Sequence, residues 1–222
     1  MNKKGMALYA LLIILLPLAV IVLSGNGVLR ASLSYSYHFN DIQASNLVDS
    51  SLNNTELAEE ITGYFNSFGD EEFQIYEQNG EFMDPAFDNL EVMAMKRAKQ
   101  LLKWTLIAGG IFFVMFVAVY IYLALRGEKR YLRISGIAAV IATIIALIVK
   151  WILISNDSFR ENLYERFINI ALNEEATLRL ILGSPMEIVY LVFSSILAIA
   201  VTLIFLYIHI GVTREKGMFK RS

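Results

Sequence analysis

Six charged side chains in this 222-residue chain stand where an anionic or lipid-borne group could be held: Lys96, Arg97, Lys99, Lys103, Lys150 and Glu187. Lys96, Lys99 and Lys103 recur at i, i+3 and i+7, so a helix through them carries all three ammonium groups on one face, with Arg97 beside them. Met95, Leu101 and Leu102 add apolar contacts next to that face. Such a basic collar can snorkel and pair with acidic groups, or it can bind a lipid phosphate or an anionic substrate. Lys150 lies inside an apolar run next to Trp151, and Glu187 lies at the start of another. A charge within such a run is a functional candidate, and these two are candidate partners. Each also has a plain structural use: Lys150 can snorkel beside an interfacial tryptophan, and Glu187 can close a helix start.

The remaining inventory excludes a good deal. There are two histidines and no cysteine. His38 falls on the polar face of an expected strand, exposed to solvent, and His209 falls at the interfacial end of the last apolar run. Without cysteine, disulfide-dependent four-helix families such as tetraspanins and claudins are excluded. No zincin, P-loop, dinucleotide or nucleophile-elbow pattern occurs, so neither a metal nor a cofactor is expected, and no nucleic acid partner. No series of acids and bases crosses the apolar runs, which argues against a proton relay. The halves show no inverted repeat of the transporter kind. Two N-x-S/T sequons, at Asn53 and Asn156, are short enough to arise by chance.

The elements that must position these residues are set by hydrophobicity. The chain is 56% hydrophobic, and its apolar residues fall into blocks at 6–23, 101–125, 134–154 and 186–210. Each is near the ~20 residues that cross a bilayer as a helix. The expected division is a first transmembrane helix in 1–23, a cap in 24–100, and a second helix in 101–125. A turn at 126–133, a third helix at 134–154, a loop at 155–184, a fourth helix at 185–211 and a tail at 212–222 complete it. The first run is longer than a signal-peptide core and lacks an A-x-A site, so it is read as an uncleaved anchor. Gly109-Gly110 would let neighbouring helices approach closely. Lys3 and Lys4, the turn residues Arg126, Lys129, Arg130 and Arg133, and the tail's Arg214, Lys216, Lys220 and Arg221 share one side of a four-span chain. The positive-inside bias makes that side, with both termini, cytoplasmic, and the absence of cysteine points to a bacterial or archaeal membrane.

The two longer loops are patterned and therefore expected to fold outside. Residues 31–39 alternate Leu33, Tyr35, Tyr37 and Phe39 with serines and His38, the pattern of a half-buried strand. Leu57, Ile61, Tyr64 and Phe65 give an amphipathic helix, with Glu56 in its first turn and Gly69 past its end. Phe73, Ile75 and the Asn79-Gly80 pair signal a hairpin. The cap is thus a small, acidic α+β unit. Asp88 and Glu91 form a capping box opening a helix over 90–100, and Ser158 with Glu161 another, ahead of a Phe159, Leu163, Phe167, Ile170 stripe. A further turn is expected over 174–182, ending at Gly183; Ser184-Pro185-Met186-Glu187 then reads as N-cap, N1 proline and N3 glutamate.

This layout, with the segments Thr55-Glu56-Leu57-Ala58-Glu59-Glu60-Ile61-Thr62-Gly63-Tyr64-Phe65 and 87–99, resembles the DUF1461 family of bacterial membrane proteins, which includes lipoprotein intramolecular transacylases. Glu91, Met95 and Lys99 match that family's pattern at the entry to the second span. The resemblance implies acyl transfer from a lipoprotein's diacylglyceryl group to its N-terminal cysteine amine, with membrane lipids and lipoproteins as partners. The family's histidine falls at Ala94, its aspartate at Arg97, and its second histidine near Arg166 or Phe167. Alanine cannot take the proton that an attacking ammonium must lose. The catalytic residues are therefore open, and the expectation is a diverged or catalytically silent relative binding a lipid or lipoprotein. The alternatives are a non-enzymatic accessory or immunity-type membrane protein whose acidic cap binds a protein partner, and, third, a transporter.

Overall fold

The structure is a computed structural model and describes residues 3–48, 52–67, 69, 72–79, 82–167 and 176–214. In chain order the elements are α1 (Lys3–Leu29), α2 (Ser32–Ile42), α3 (Ala44–Leu47), α4 (Asn54–Asn66), β1 (Tyr76–Asn79) and β2 (Phe82–Pro85). They continue as α5 (Asn89–Leu125), α6 (Lys129–Ile154), α7 (Asp157–Phe167), α8 (Thr177–Leu182) and α9 (Ser184–Thr213). Four stretches are long and apolar enough to cross a membrane: Met6–Leu29, Asn89–Leu125, Lys129–Ile154 and Thr177–Thr213. Only 17% of the most apolar window of α5 is buried within the protein. That much outward apolar surface suits lipid as the solvent, and the chain is a multi-pass membrane protein. At 37 residues, α5 runs ~55 Å, well beyond ~30 Å of hydrocarbon, so its first turns extend past the lipid.

The chain divides into two compact units, and each of the four long helices contributes to both. The first unit holds Met1–Ser24, Ile107–Val149 and Ile196–Ser222. Its core is a cluster of Leu12, Leu16, Phe116, Leu123, Leu132 and Ala198. A side-chain carbon on Gly109 would meet Leu23 at 2.8 Å, so α1 and α5 approach closely here and a larger residue would push the leucine aside. Gly127, at φ +75°, makes the left-handed turn that ends α5. His209, four residues before the end of α9, is fully buried. Its Nδ1 lies 2.9 Å from Tyr120 Oη and its Nε2 3.3 Å from Arg133 O, so the carbonyl fixes the proton on Nε2 and the phenol donates to Nδ1. Gly136 leaves the space that this imidazole fills.

The second unit holds Gly25–Leu106 and Lys150–Ser195. Its core joins Phe39, Val48, Leu57, Ile61, Phe65, Phe73, Ile75, Phe87, Met95 and Ile181. Helix α4 presents the expected stripe: Leu57, Ile61, Tyr64 and Phe65 are all buried. Asn53 and Glu56 cap it reciprocally, Asn53 Oδ1 accepting from Glu56 N at 3.0 Å and Glu56 Oε2 from Asn53 N at 2.9 Å. The helix closes at Ser67, before Gly69. The hairpin pairs Tyr76 with Pro85 and Asn79 with Phe82, while its Gly80 turn lies outside the described residues.

Two local expectations are overturned. Residues 31–39 do not form a strand: Ser32–Ile42 is helix α2. Its buried face is Ser34, Tyr35, His38 and Phe39, and Leu33 and Tyr37 point out. The polar members of that face are satisfied: Ser34 Oγ donates to Val28 O at 2.8 Å and to Ala31 O at 2.9 Å, and His38 Nε2 lies 2.9 Å from Ile181 O. Helix α7 starts two residues early because Asn156, not Ser158, accepts the capping bond, from Phe159 N at 3.0 Å. The side chains of Phe167 and Ile170 in its expected stripe, and the turn expected over 174–175, lie outside the described residues.

The Asp88–Glu91 capping box forms as expected, Asp88 Oδ1 accepting from Glu91 N at 2.7 Å and Glu91 Oε2 from Asp88 N at 2.8 Å. Glu91 is also buried, and its second oxygen accepts from Leu178 N at 2.7 Å. Short helix α8 is thus clamped by Glu91 at its start and His38 at its end. Burial holds His38 below its ordinary 6.5, and the Ile181 carbonyl and Asp41 oppose that shift only in part. Folding therefore favours the neutral ring. Its stabilisation is complete above the unfolded value of 6.5 and is lost as pH falls from there through the depressed folded value. Unfolding titrations in detergent should show stability dropping below about pH 6.5, and His38→Gln should flatten that drop. An unchanged slope in the variant would show that His38 does not carry it.

Candidate functional site

The ends of α6 and α9 within the second unit form two layers. In the upper layer, Arg160 of α7 pairs with Asp157 at 2.8 Å and with Glu187 of α9 at 2.9 Å. Arg160 and Glu187, with Ile154, Ser155, Ile188 and Leu191, line a cavity of about 190 Å³. Its lining combines the Arg160–Glu187 ion pair with three aliphatic side chains. Helix propagation explains the arrangement: Glu187, Ile188 and Leu191 lie at i, i+1 and i+4 on α9, one face of its first two turns.

One turn along both helices is a second, hydrogen-bonded layer. Lys150 Nζ donates to Ser194 Oγ at 2.5 Å and sits 4.4 Å from the centre of the Tyr190 ring. Beside it, Trp151 Nε1 donates to Ser195 Oγ at 2.8 Å. Two adjacent residues on α6 thus meet two adjacent serines on α9, which fixes the register of the helices below the cavity. Ser194 itself donates to Tyr190 O at 2.6 Å. Gly25 of α1 gives Tyr190 its room, since a side-chain carbon there would lie 2.5 Å from the phenol oxygen. On the adjoining turn of α1, Asn26 donates to Leu102 O at 2.6 Å and to Thr105 Oγ1 at 2.9 Å, tying α1 to α5.

The six residues singled out by type separate into distinct settings. Glu187 lines the cavity with Arg160, and Lys150 lies one turn deeper against Ser194. Lys99 turns to the end of α4, donating to Ser67 Oγ at 2.7 Å and Gly69 O at 3.0 Å, with its Nζ 4.3 Å from the Tyr64 ring. A cation there also complements the C-terminal end of that helix. Lys96 and Lys103 are exposed on α5, and Arg97 is half-buried. Arg160, Tyr190, Ser194 and Ser195 escaped notice in the sequence. The readable signal was the Ser194-Ser195 pair interrupting an apolar run, placed to answer Lys150-Trp151.

The family model for the lipoprotein intramolecular transacylase Lit matches residues 10–167. The chain belongs to the Lit family. Three solved structures of the membrane-integral Lit of Bacillus cereus are similar to it. A histidine-to-arginine variant has a TM-score of 0.73 at 12% identity, covering 94% of this chain and 92% of that one. A histidine-to-alanine variant gives 0.73 at 11%, covering 94% and 93%. A third Lit structure gives 0.72 at 11%, covering 96% and 97%. At that identity the likeness is one of fold. No curated protein matches the chain. Ala94, where the resemblance puts a Lit-family histidine, is buried beside Met95 in the core, and Arg166 is exposed.

Proposed function

We propose that this chain is a diverged Lit-family protein that holds the acylated end of a lipoprotein, or a membrane lipid, at the outer surface of a bacterial plasma membrane. The observation that carries this is the cavity between the ends of α6 and α9. Aliphatic walls from Ile154, Ile188 and Leu191 beside the Arg160–Glu187 pair suit a ligand with an acyl chain and a polar head. The orientation follows from Arg126, Lys129, Arg130 and Arg133 between α5 and α6, which the positive-inside bias puts in the cytoplasm with both termini. The exposed Lys96 and Lys103 would then face outer headgroups. With alanine at position 94, the family's imidazole does not take part at that position, and the proton-taking step has been lost or passed to another group.

A second reading has its own observation: α4 exposes Glu56, Glu59 and Glu60 together, an acidic face that a basic protein partner would fit. One experiment separates the two. The full chain in phosphatidylcholine nanodiscs is exposed to a photoreactive diacylated lipopeptide, with unlabelled lipopeptide or the same peptide without acyl chains as competitor. Saturable labelling blocked only by the acylated competitor supports the first reading. Labelling blocked equally by the acyl-free peptide favours the second.

A further inference from the structure

Helix α2 carries an apolar face that the protein does not cover. Leu33 and Tyr37, one turn apart, are 67% and 63% exposed. Between Arg30 and Asp41 there is no acid, lysine or arginine, and His38 is buried against the Ile181 carbonyl. The outward face turns polar only at Asn40 and Asp41, both exposed. Two outward apolar side chains would by themselves call for no explanation. Their height on the molecule supplies one.

Contacts within the second unit fix that height. Asn26 of α1 donates to Leu102 O and Thr105 Oγ1 of α5, and Gly25 abuts the Tyr190 phenol of α9. Tyr190 in turn covers Lys150 of α6, and Trp151 donates to Ser195. Gly25, Trp104, Trp151 and the stretch 190–195 therefore share one level across the four long helices. Both tryptophans of the chain face outward there, Trp104 at 67% and Trp151 at 38% exposure. Each stands within a turn of the end of its apolar run, and exposed tryptophans gather where hydrocarbon meets headgroups. Tyr37 joins them: its ring centre lies 6.1 Å from that of Phe193, inside the stretch 190–195. Val192, next to Phe193 on α9, is outward as well, so the face of α2 continues the lipid-facing side of that span.

We propose that α2 is an interfacial helix seated in the outer leaflet. Leu33 and Tyr37 insert at the headgroup end of the phospholipid acyl chains, and Asn40 and Asp41 stay in water. The occupant of this face is the bilayer, and the inference goes beyond the cavity reading, holding whatever ligand the cavity takes. The uncharged stretch from Ala31 to Asn40 lets the face enter lipid without burying an ionised group. It also gives a reason for helix over strand: at the lipid boundary an open strand edge leaves backbone groups unsatisfied, and a helix satisfies them within itself. The second unit is thereby anchored in the membrane at a point besides its spans. Because His38 on the opposite face of α2 holds the Ile181 carbonyl, α8 rests on that anchor.

The chain has no cysteine, so a single introduced one takes a fluorescent label at a unique place. The full chain is prepared in phosphatidylcholine nanodiscs as Leu33→Cys, Tyr37→Cys, Asp41→Cys and Glu60→Cys, each labelled with an environment-sensitive nitrobenzoxadiazole. All four positions are exposed, so the changes remove no core side chain, and the Leu33 and Tyr37 sites test the face independently of each other. Two quenchers are compared: phosphatidylcholine with a nitroxide near the head of its acyl chain, and iodide in the water. The lipid nitroxide should quench the labels at 33 and 37 at least about threefold more than those at 41 and 60, and iodide should show the reverse order. Labels at 33 and 37 that iodide reaches as readily as the one at 60 would place the face in water and overturn the proposal. Labels there shielded from both quenchers would mean that a second copy or another protein covers α2, which overturns it as well.

Discussion

Phe39→Ala should cost the folded chain about 3–5 kcal/mol, while Leu33→Ala should change stability by less than about 0.5 kcal/mol. Phe39 is completely buried in the second unit's core, and Leu33 is 67% exposed. In the strand that the alternation suggested, both side chains would share one buried face and truncations would cost similar amounts. In helix α2 they are six residues apart and lie on different faces. Equilibrium unfolding of the two variants in mixed detergent micelles measures the difference directly. Comparable losses for both would contradict the helix.

Glu91→Ala should be the second severe change, at about 3 kcal/mol. Its two oxygens accept from Asp88 N and from Leu178 N, at 2.8 and 2.7 Å, inside a residue that is 4% exposed. Removing the carboxylate leaves the buried Leu178 amide without its acceptor and opens the cap of α5 at once. Glu91→Gln retains one oxygen acceptor and should cost about 1 kcal/mol. The alanine variant should also release α8, so amide exchange over Leu178–Leu182 should quicken by more than tenfold while α4 keeps its protection. An alanine variant as stable as the wild type would mean that Glu91 does not anchor α8.

Much of the fold was legible because its causes are local. Four apolar runs specify four spans, since lipid leaves helices as the one way to satisfy the backbone within a single segment. The α4 stripe and the Asp88–Glu91 box are set within a few residues of themselves, and both form. Helix α2 misled because period-two and helical patterns share every fourth residue: Tyr35 and Phe39 are buried under either. What decided between them was distant, the Ile181 carbonyl that accepts a hydrogen bond from His38 Nε2 143 residues away. The family was legible in the segment 87–99. The cavity and the hydrogen-bonded layer next to it were not, because both are set by how α6 and α9 meet. Lys150 with Ser194 and Trp151 with Ser195 are each 44 residues apart, and no local pattern announces such a match.

The central claim is that an acylated ligand sits between the ends of α6 and α9. Mapping the photoreactive diacylated lipopeptide onto peptides of the nanodisc-embedded chain tests it most directly. The account predicts saturable adducts concentrated in the peptides that carry residues 150–160 and 184–195, removed by excess acylated competitor and weakened when Arg160 and Glu187 are both replaced by alanine. Adducts spread evenly over the lipid-facing sides of all four spans, indifferent to competitor, would contradict it.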